Sequence, residues 1–504
     1  MRLLFFIEEG SHFIKIMFRN IYSHSQILWL IALSIAVYIQ VYDFKFIQYD
    51  DPAYVSENSY VKEGLTSDGI KWAFSTKDSE QNLKYEGVSN IYHPLTWLSH
   101  MSDVQLFGLA PGWHHIVNVI LHTIGAVFGF LFIRKLTSSG NIAFIASALF
   151  LIHPTHVESV AWISERKDVL SGVFFWASLY YSINRSKHSS SLAYLCLVLG
   201  LLSKPSIVVL PLIVILIHCF RSKEVFATKN LLKTILNYKY WLLTALVFGL
   251  FTFYLQNTGT HQQFAAQSSI ISRFPHIGLG YWFYLYRAVI PTDLSFSYPT
   301  PDYNRALVVS SYLALIVLFY IIWIVRNRMP SLFLAFAWFT ICWLPISGVL
   351  YIGVEYTPDR YLYISLGGFF ILFAQYLNSS AWRKFIAIAV VFLFSALSYS
   401  QVKVWSDTES LFVHATKTQP KNYIGWTNLG AFYQTKKQLK NAIECHKKAI
   451  ELNSSAYISE YNLAICYAHL KNYPLASKHL EKSLKIAPHY SPSLKLQNLL
   501  PTGH

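Results

Sequence analysis

The run ILWLIALSIAVYIQVYDFKFIQYDDP, residues 27–52, decides how this chain is read. Its first part, 27–43, is apolar and long enough to enter a bilayer, since about 20 such residues cross the hydrocarbon. Its second part ends with Asp50 and Asp51 side by side, just beyond the apolar stretch. Two carboxylates at a membrane edge are costly unless they are solvated or used. A base placed there could activate a hydroxyl against a substrate held by a lipid tail. No small-residue cleavage site follows the apolar stretch, so 27–43 reads as a retained anchor behind a cytoplasmic N-terminus, 1–26.

Composition extends that reading to most of the chain. Of its 504 residues, 54% are hydrophobic and only 13% charged, about half the charged share of a soluble domain. The formal net charge of +15 is expected of cytoplasmic loops rich in Lys and Arg, and a nucleic-acid partner is not. The five cysteines, Cys196, Cys219, Cys342, Cys445 and Cys466, form no C-x-x-C pair and predict neither disulfides nor zinc.

Apolar stretches recur at 27–43, 114–133, 141–157, 169–183, 192–203, 205–220, 241–256, 307–325, 333–350, 361–377 and 384–402. They predict an all-α bundle of about eleven spans over 27–404. The aromatic-rich stretch 278–292 is expected to lie in the interface or to re-enter. Lys15, Arg19, Arg134, Lys135, Arg185, Lys187, Arg221, Lys223, Arg326, Arg328, Arg383 and Lys384 then share the cytoplasmic side. The C-terminus and every other polar cluster fall outside: the 44–113 loop with its acidic pair, His153 to Asp168, Lys204, Tyr298 to Asp302, and Glu355 to Arg360.

From residue 405 the composition becomes soluble and periodic. Trp426, Leu429, Gly430, Tyr433, Ala442 and Ala449 have tetratricopeptide spacing, and Leu463, Ala464, Tyr467, Ala476, Leu480 and Pro488 follow it. A short α-solenoid is predicted over 405–500: a half repeat at 405–422, then full repeats at 423–456 and 457–490. Such a stack usually offers a concave face to a peptide, so an acceptor protein is the expected partner, beside the bilayer itself. A stalk that only solubilises the C-terminus is the plainer reading.

Four further clusters could carry chemistry. In the first outer loop, His93-Pro94-Leu95-Thr96-Trp97 leads into 98–109, expected to be an interfacial helix anchored by Trp97 and Phe107. His153, His156 and Glu158 have metal-ligand types, but no further ligand is spaced to complete a site, and H-E-x-x-H is absent. No metal is therefore expected, and a hydrogen-bonded network is. Arg166 and Lys167 of the run Ser164-Glu165-Arg166-Lys167-Asp168 could hold a phosphate. Lys204, lone between apolar runs, either snorkels or does the same. Asp359 and Arg360 could pair with each other. Walker, G-x-S-x-G and G-x-G-x-x-G motifs are absent.

Taken in order, Tyr49-Asp50-Asp51-Pro52, His93 to Trp97, His153-Pro-x-His156-x-Glu158-x-Val160-Ala161, Arg166-x-Asp168, Leu202-Ser203-Lys204-Pro205 and Asp359-Arg360-Tyr361-Leu362-Tyr363 resemble bacterial members of the transmembrane-and-tetratricopeptide-repeat glycosyltransferases, relatives of protein O-mannosyltransferases. The resemblance covers nearly the whole chain. It implies a GT-C fold, a polyprenyl-phosphate sugar as donor, no cofactor, and a bacterial inner membrane with the active loops and repeats extracytoplasmic. It implies Asp50 as base and Asp51 as its neighbour. Phosphate and sugar binding would fall to His93, His153, His156, Glu158, Arg166, Lys167, Asp168, Lys204, Asp359 and Arg360. Eukaryotic relatives tend to have Arg where this chain has His93 and carry more repeats. Other readings are a non-enzymatic membrane-anchored repeat scaffold, a transporter or flippase for a lipid-linked glycan, and a transferase acting on an envelope glycan or lipid.

Overall fold

The computed structural model describes residues 24–76, 92–184, 186–222, 228–257, 270–299, 303–349 and 357–500. Lys15, Arg19, Arg185, Lys223, Asp302 and Glu355, used above, lie outside them. Among the described residues every regular element is a helix.

Local sequence sets the helix boundaries. Proline fills the first turn at Pro94, Pro111 and Pro330, where its missing N–H costs nothing. Side-chain oxygens of Asn58, Thr66, Ser139 and Asn304 cap the following helices. The helix Pro94–Phe107 ends at Gly108, whose φ is 62°. Gly112 opens the next helix, Pro111–Thr137, because a Cβ there would come within 2.0 Å of the Tyr42 carbonyl oxygen. The first helix, His24–Asp43, can thereby lean directly on it.

The bundle core is aromatic. Trp162, Trp176, Trp338, Phe130 and Phe132 are all but inaccessible. The helix Arg305–Val325 buries Val308, Ser311, Leu315 and Ile322. Its other faces expose Leu313, Ile316 and Tyr320 to between 58% and 64%. A long apolar face left open in this way matches lipid, not water.

The expected eleven spans are not all long enough. Among the described residues, four helices meet the length and composition of a span: His24–Asp43, Pro111–Thr137, Arg305–Val325 and Ala381–Val404. Two bent pairs raise the number to six, one of them Gly140–Ile152 with Pro154–Ala161, broken by 52°. Others, such as Arg166–Ser182, have 17 residues and begin among charged groups, so their polar first turns belong to the site. The stretch 278–292 lies largely within a longer helix, Ile270–Val289. At one end Arg273 Nη1 donates to Gly348 O at 2.9 Å, and at the other the Tyr284 hydroxyl donates to Pro358 O at 3.2 Å. In between, Tyr281 meets Phe339 and Trp343, in the last turn of Pro330–Trp343. It also packs against the middle of Arg305–Val325, where Tyr312 stacks on Phe274 at 4.3 Å and Phe319 meets Tyr281 at 5.7 Å.

The helix 94–107 is packed through one face and leaves Leu106 71% exposed on another. Trp97 is 6% exposed and stacks on Tyr54 at 4.9 Å. Phe107 stacks on Trp113 at 5.0 Å. The helix also buries His100 and Asp103, so it is a packed element beneath the first loop, whose short helices Ser59–Lys62 and Ser67–Phe74 cover it.

At the C-terminus, Ala381–Val404 runs within three residues into Thr408–Thr418. Two antiparallel pairs follow, Tyr423–Thr435 with Leu439–Leu452 and Tyr457–His469 with Tyr473–Ile486. Ala442, Ala449, Ala464 and Ala476 are buried where the helices meet, which lets the axes approach closely. The fold class read from the sequence, an apolar helical bundle ending in tetratricopeptide-like repeats, holds.

Candidate active site

Four turns separated widely in sequence build the site: 44–56, 162–168, 203–205 and 358–362. Their meeting point is Glu165, a residue inside a quoted motif but given no role by the sequence. Its carboxylate lies 2.9 Å from Lys167 Nζ, 3.3 Å from Arg360 Nε and 4.0 Å from Lys204 Nζ. Burial would raise the Glu165 carboxyl, but Lys167, Arg360 and Lys204 outweigh it and hold the group ionised. Two more buried acids complete the ring. Glu158 accepts from Arg360 Nη1 at 2.6 Å and from the Arg360 backbone N–H at 3.0 Å, across 202 residues of sequence. Asp168 accepts from Lys204 Nζ and from Ser159 Oγ. The three cations are not sealed in: their side chains are 11%, 15% and 14% exposed for Lys167, Lys204 and Arg360. Each side chain is thus partly exposed, and the three converge on one carboxylate.

Asp50 and Asp51 divide sharply. Asp51 is fully buried, and both its oxygens are used. One accepts from the Ile47 N–H at 2.8 Å, the other from the Ser164 N–H at 3.2 Å and the Ser164 hydroxyl. Burial pushes its carboxyl up to about 6 despite those bonds. Asp51 therefore ties the first loop to the turn before Glu165 and presents no face to a sugar. Asp50 is half-buried. Its charge acts with that of Glu165 to keep Lys167 protonated against burial, and it acts on Tyr54 as well. Lys167 Nζ sits 4.8 Å over the Tyr54 ring. The accessible carboxylate of the acidic pair is thus beside the cation cluster.

Several expected phosphate holders are committed elsewhere. Arg166 is fully buried. Its donors reach Asn118 Oδ1, Ser99 Oγ, Asp103 Oδ2 and His114 O. A guanidinium with its fork filled by protein has nothing left for a phosphate, so Arg166 fastens 94–107 and 111–137 to the site. His93 packs against both Tyr54 and Trp97, at 5.5 and 4.7 Å, in a three-ring cluster. Burial holds it well below the ordinary range, so it is neutral and has no exposed edge. His153 bonds Thr155 Oγ1 and the Ala288 carbonyl, and His156 bonds the Phe150 carbonyl; both are buried framework. Asp359 does not pair with Arg360 in the cluster. It accepts from the Tyr298 hydroxyl at 2.8 Å, beside Arg287, and burial raises it to about 7.

Among the described residues one trio has metal-ligand types within reach of one another: His100, Asp103 and His114, with ligand atoms within 4.8 Å. The charge of Asp103 is already matched by Arg166. A divalent ion there would be buried without a counter-charge, at a cost of several kcal/mol, so the donor set does not fit one.

Residues 423–489 match the family model described as tetratricopeptide repeat. Over 443 residues, 85% of this chain, the sequence is 23% identical to a protein O-mannosyl-transferase of Caenorhabditis elegans. A protein O-mannosyl-transferase of Mus musculus, TMTC2, is 33% identical over 165 residues, 32% of this chain. One of Xenopus laevis, tmtc2, is 40% identical over 114 residues, 22% of this chain. The matched parts make up 63%, 19% and 13% of those relatives, so the chain spans less than two thirds of their length. The relatives of this chain are proteins named protein O-mannosyl-transferase, and its C-terminal segment is a tetratricopeptide array.

Proposed function

We propose that this chain is a membrane glycosyltransferase that moves a sugar, with mannose first choice, from a polyprenyl-phosphate donor to an acceptor hydroxyl. The acceptor is a Ser or Thr of an exported protein, presented by the repeats at the extracytoplasmic face. The observation that carries this reading is the convergence of Lys167, Lys204 and Arg360, each partly exposed, on Glu165 next to the half-buried Asp50. The names of the relatives support the reaction class.

In the proposed reaction Asp50 takes the hydroxyl proton as the acceptor oxygen attacks the anomeric carbon. The bond from that carbon to the phosphate oxygen breaks, and the polyprenyl phosphate leaves with both electrons. One displacement inverts the anomeric centre. Lys167, Lys204 and Arg360 stabilise the charge that grows on the phosphate, the term that usually dominates such catalysis. With three cations in that role the reading calls for no metal. Glu158, Glu165 and Asp168 fix the cations in place, and Asp51 fixes the loop that carries Asp50.

An intact-mass comparison of exported proteins from cells with and without this chain tests the proposal. A hexose-sized increment that depends on the chain is expected. Unchanged proteins with an altered envelope glycan would move the acceptor to a glycan or lipid. No change in either would leave a repeat-bearing scaffold and overturn the enzyme reading.

A further inference from the structure

We infer that the first helix of the repeat array, Thr408–Thr418, is a positioning element for Asp50, so that the repeats are built into the catalytic centre. The inference rests on the transferase reading and adds a role for residues the acidic pair alone does not suggest. The segment leading to Asp50 is held from behind by the end of the last bundle helix and the start of the repeats. The Lys45 N–H donates to Ser406 O at 2.9 Å, and the Gln48 N–H donates to Thr408 Oγ1 at 2.9 Å. Thr408 is 5% exposed, and Asp407 caps its helix through the Ser410 N–H.

Tyr49, the residue before Asp50, completes the grip. Its ring lies 5.7 Å from Trp162, nearly parallel, and edge-on to Phe296 and Phe412 at 5.6 and 6.1 Å. Phe412 is 1% exposed and packs on Phe296 at 5.4 Å. Trp162 in turn stacks on Trp405 at 5.3 Å and carries Arg360 at 5.7 Å from its ring. One run of rings therefore joins the repeat helix, the base-bearing loop and the cation cluster. His414 Nε2 to Leu294 O at 2.9 Å ties the same helix to the 292–298 turn. A bundle that merely trailed a flexible binding module would need none of these contacts. With them, an acceptor segment gripped by the repeats is presented beside Asp50 by a rigid path.

The test uses the full chain in proteoliposomes. Thr408→Val keeps the side-chain volume and removes the acceptor of the Gln48 N–H; Thr408→Ser keeps that acceptor. Phe412→Leu loosens the ring contact at modest packing cost. Hydrogen exchange at residues 45–51 should rise about tenfold or more in Thr408→Val, as expected when one buried hydrogen bond is lost. It should stay at the wild-type rate in Thr408→Ser, and amides of 119–133 should not change in either. With polyprenyl-phosphate mannose and envelope proteins from cells lacking the chain, Thr408→Val and Phe412→Leu should lower kcat about tenfold while the donor KM holds, and Thr408→Ser should restore it. Unchanged exchange at 45–51 in both variants would overturn the inference, as would faster exchange with full kcat. If the wild type transfers no sugar, the transferase reading fails instead, and the exchange result still decides whether the repeats hold the loop.

Discussion

Glu165→Gln is the most informative single change to the cluster. The substitution keeps the shape of the side chain and removes the charge that Lys167, Arg360 and Lys204 share at 2.9, 3.3 and 4.0 Å. Removing one member of a buried ion pair costs about 3–5 kcal/mol, because the other charge is left uncompensated. Here the cations retain some solvent and second carboxylates at Glu158 and Asp168, so we expect about 3 kcal/mol, the lower end of that range. The sign with pH follows from the group's ionisation. A carboxyl held below its unfolded value stabilises the fold above that value, and the contribution is lost as the group protonates. The contribution of Glu165 should thus be lost as pH falls from 4.5 through about 2, and the stability gap between wild type and the Gln variant should narrow over that window. Thermal unfolding of wild type and the Gln variant in detergent, at pH 7 and near pH 2, measures both effects. Transfer should also fall about a hundredfold or more, since a displacement of about 1 Å at a phosphate-holding group is enough for that. A variant with the wild-type unfolding temperature at pH 7 would refute the reasoning that Glu165 is the hub.

Other changes separate framework from chemistry. Arg166→Lys should destabilise the chain by about 3 kcal/mol or more, because a lysine cannot serve the four partners of the guanidinium; denaturation profiles check this, and donor affinity of the folded fraction should be unchanged. Asp51, raised to about 6 by burial, opposes folding once ionised, so the contribution of this one group to stability should fall by up to about 3 kcal/mol as pH climbs from 4 to 6, opposite in sign to that of Glu165. Asp51→Asn should flatten that slope in a pH series of unfolding midpoints, while lowering stability at pH 4, where its amide would face the Ile47 N–H. Lys204→Met should raise the donor KM and also lower stability, since it leaves the buried Asp168 carboxylate without its cation; equal KM in the two proteins would remove Lys204 from the phosphate site.

The architecture was legible because it is periodic. Apolar runs and a repeat of small and aromatic residues are visible in one dimension, and both survive in the structure. The number of spans was not, because helices such as Arg166–Ser182 start inside the polar site and hide their short length among neighbours. The site was half legible. Lys167, Lys204, Arg360 and Asp50 stand out as charges among apolar residues, and the structure brings the three cations together. Arg166 stands out equally, yet its partners Ser99, Asp103 and Asn118 lie in two other helices, and no local pattern distinguishes a guanidinium spent on the fold from one kept for a ligand. Glu165 was hidden for the same reason: its role exists only through Arg360 and Lys204, which fold onto it from far along the chain. His93 reads as a candidate by its place before Pro94-Leu95, but it is buried in a three-ring cluster with Tyr54 and Trp97.

The central claim is that Asp50 removes the proton from the acceptor hydroxyl while its neighbours hold the donor. Asp50→Asn in the full chain, in proteoliposomes with polyprenyl-phosphate mannose and envelope proteins from cells lacking the chain, measures it directly. The account predicts a loss of transfer between about a hundredfold and ten-thousandfold, the contribution of a positioned base, with unfolding temperature and donor binding unchanged. Transfer at the wild-type rate by that variant would contradict it.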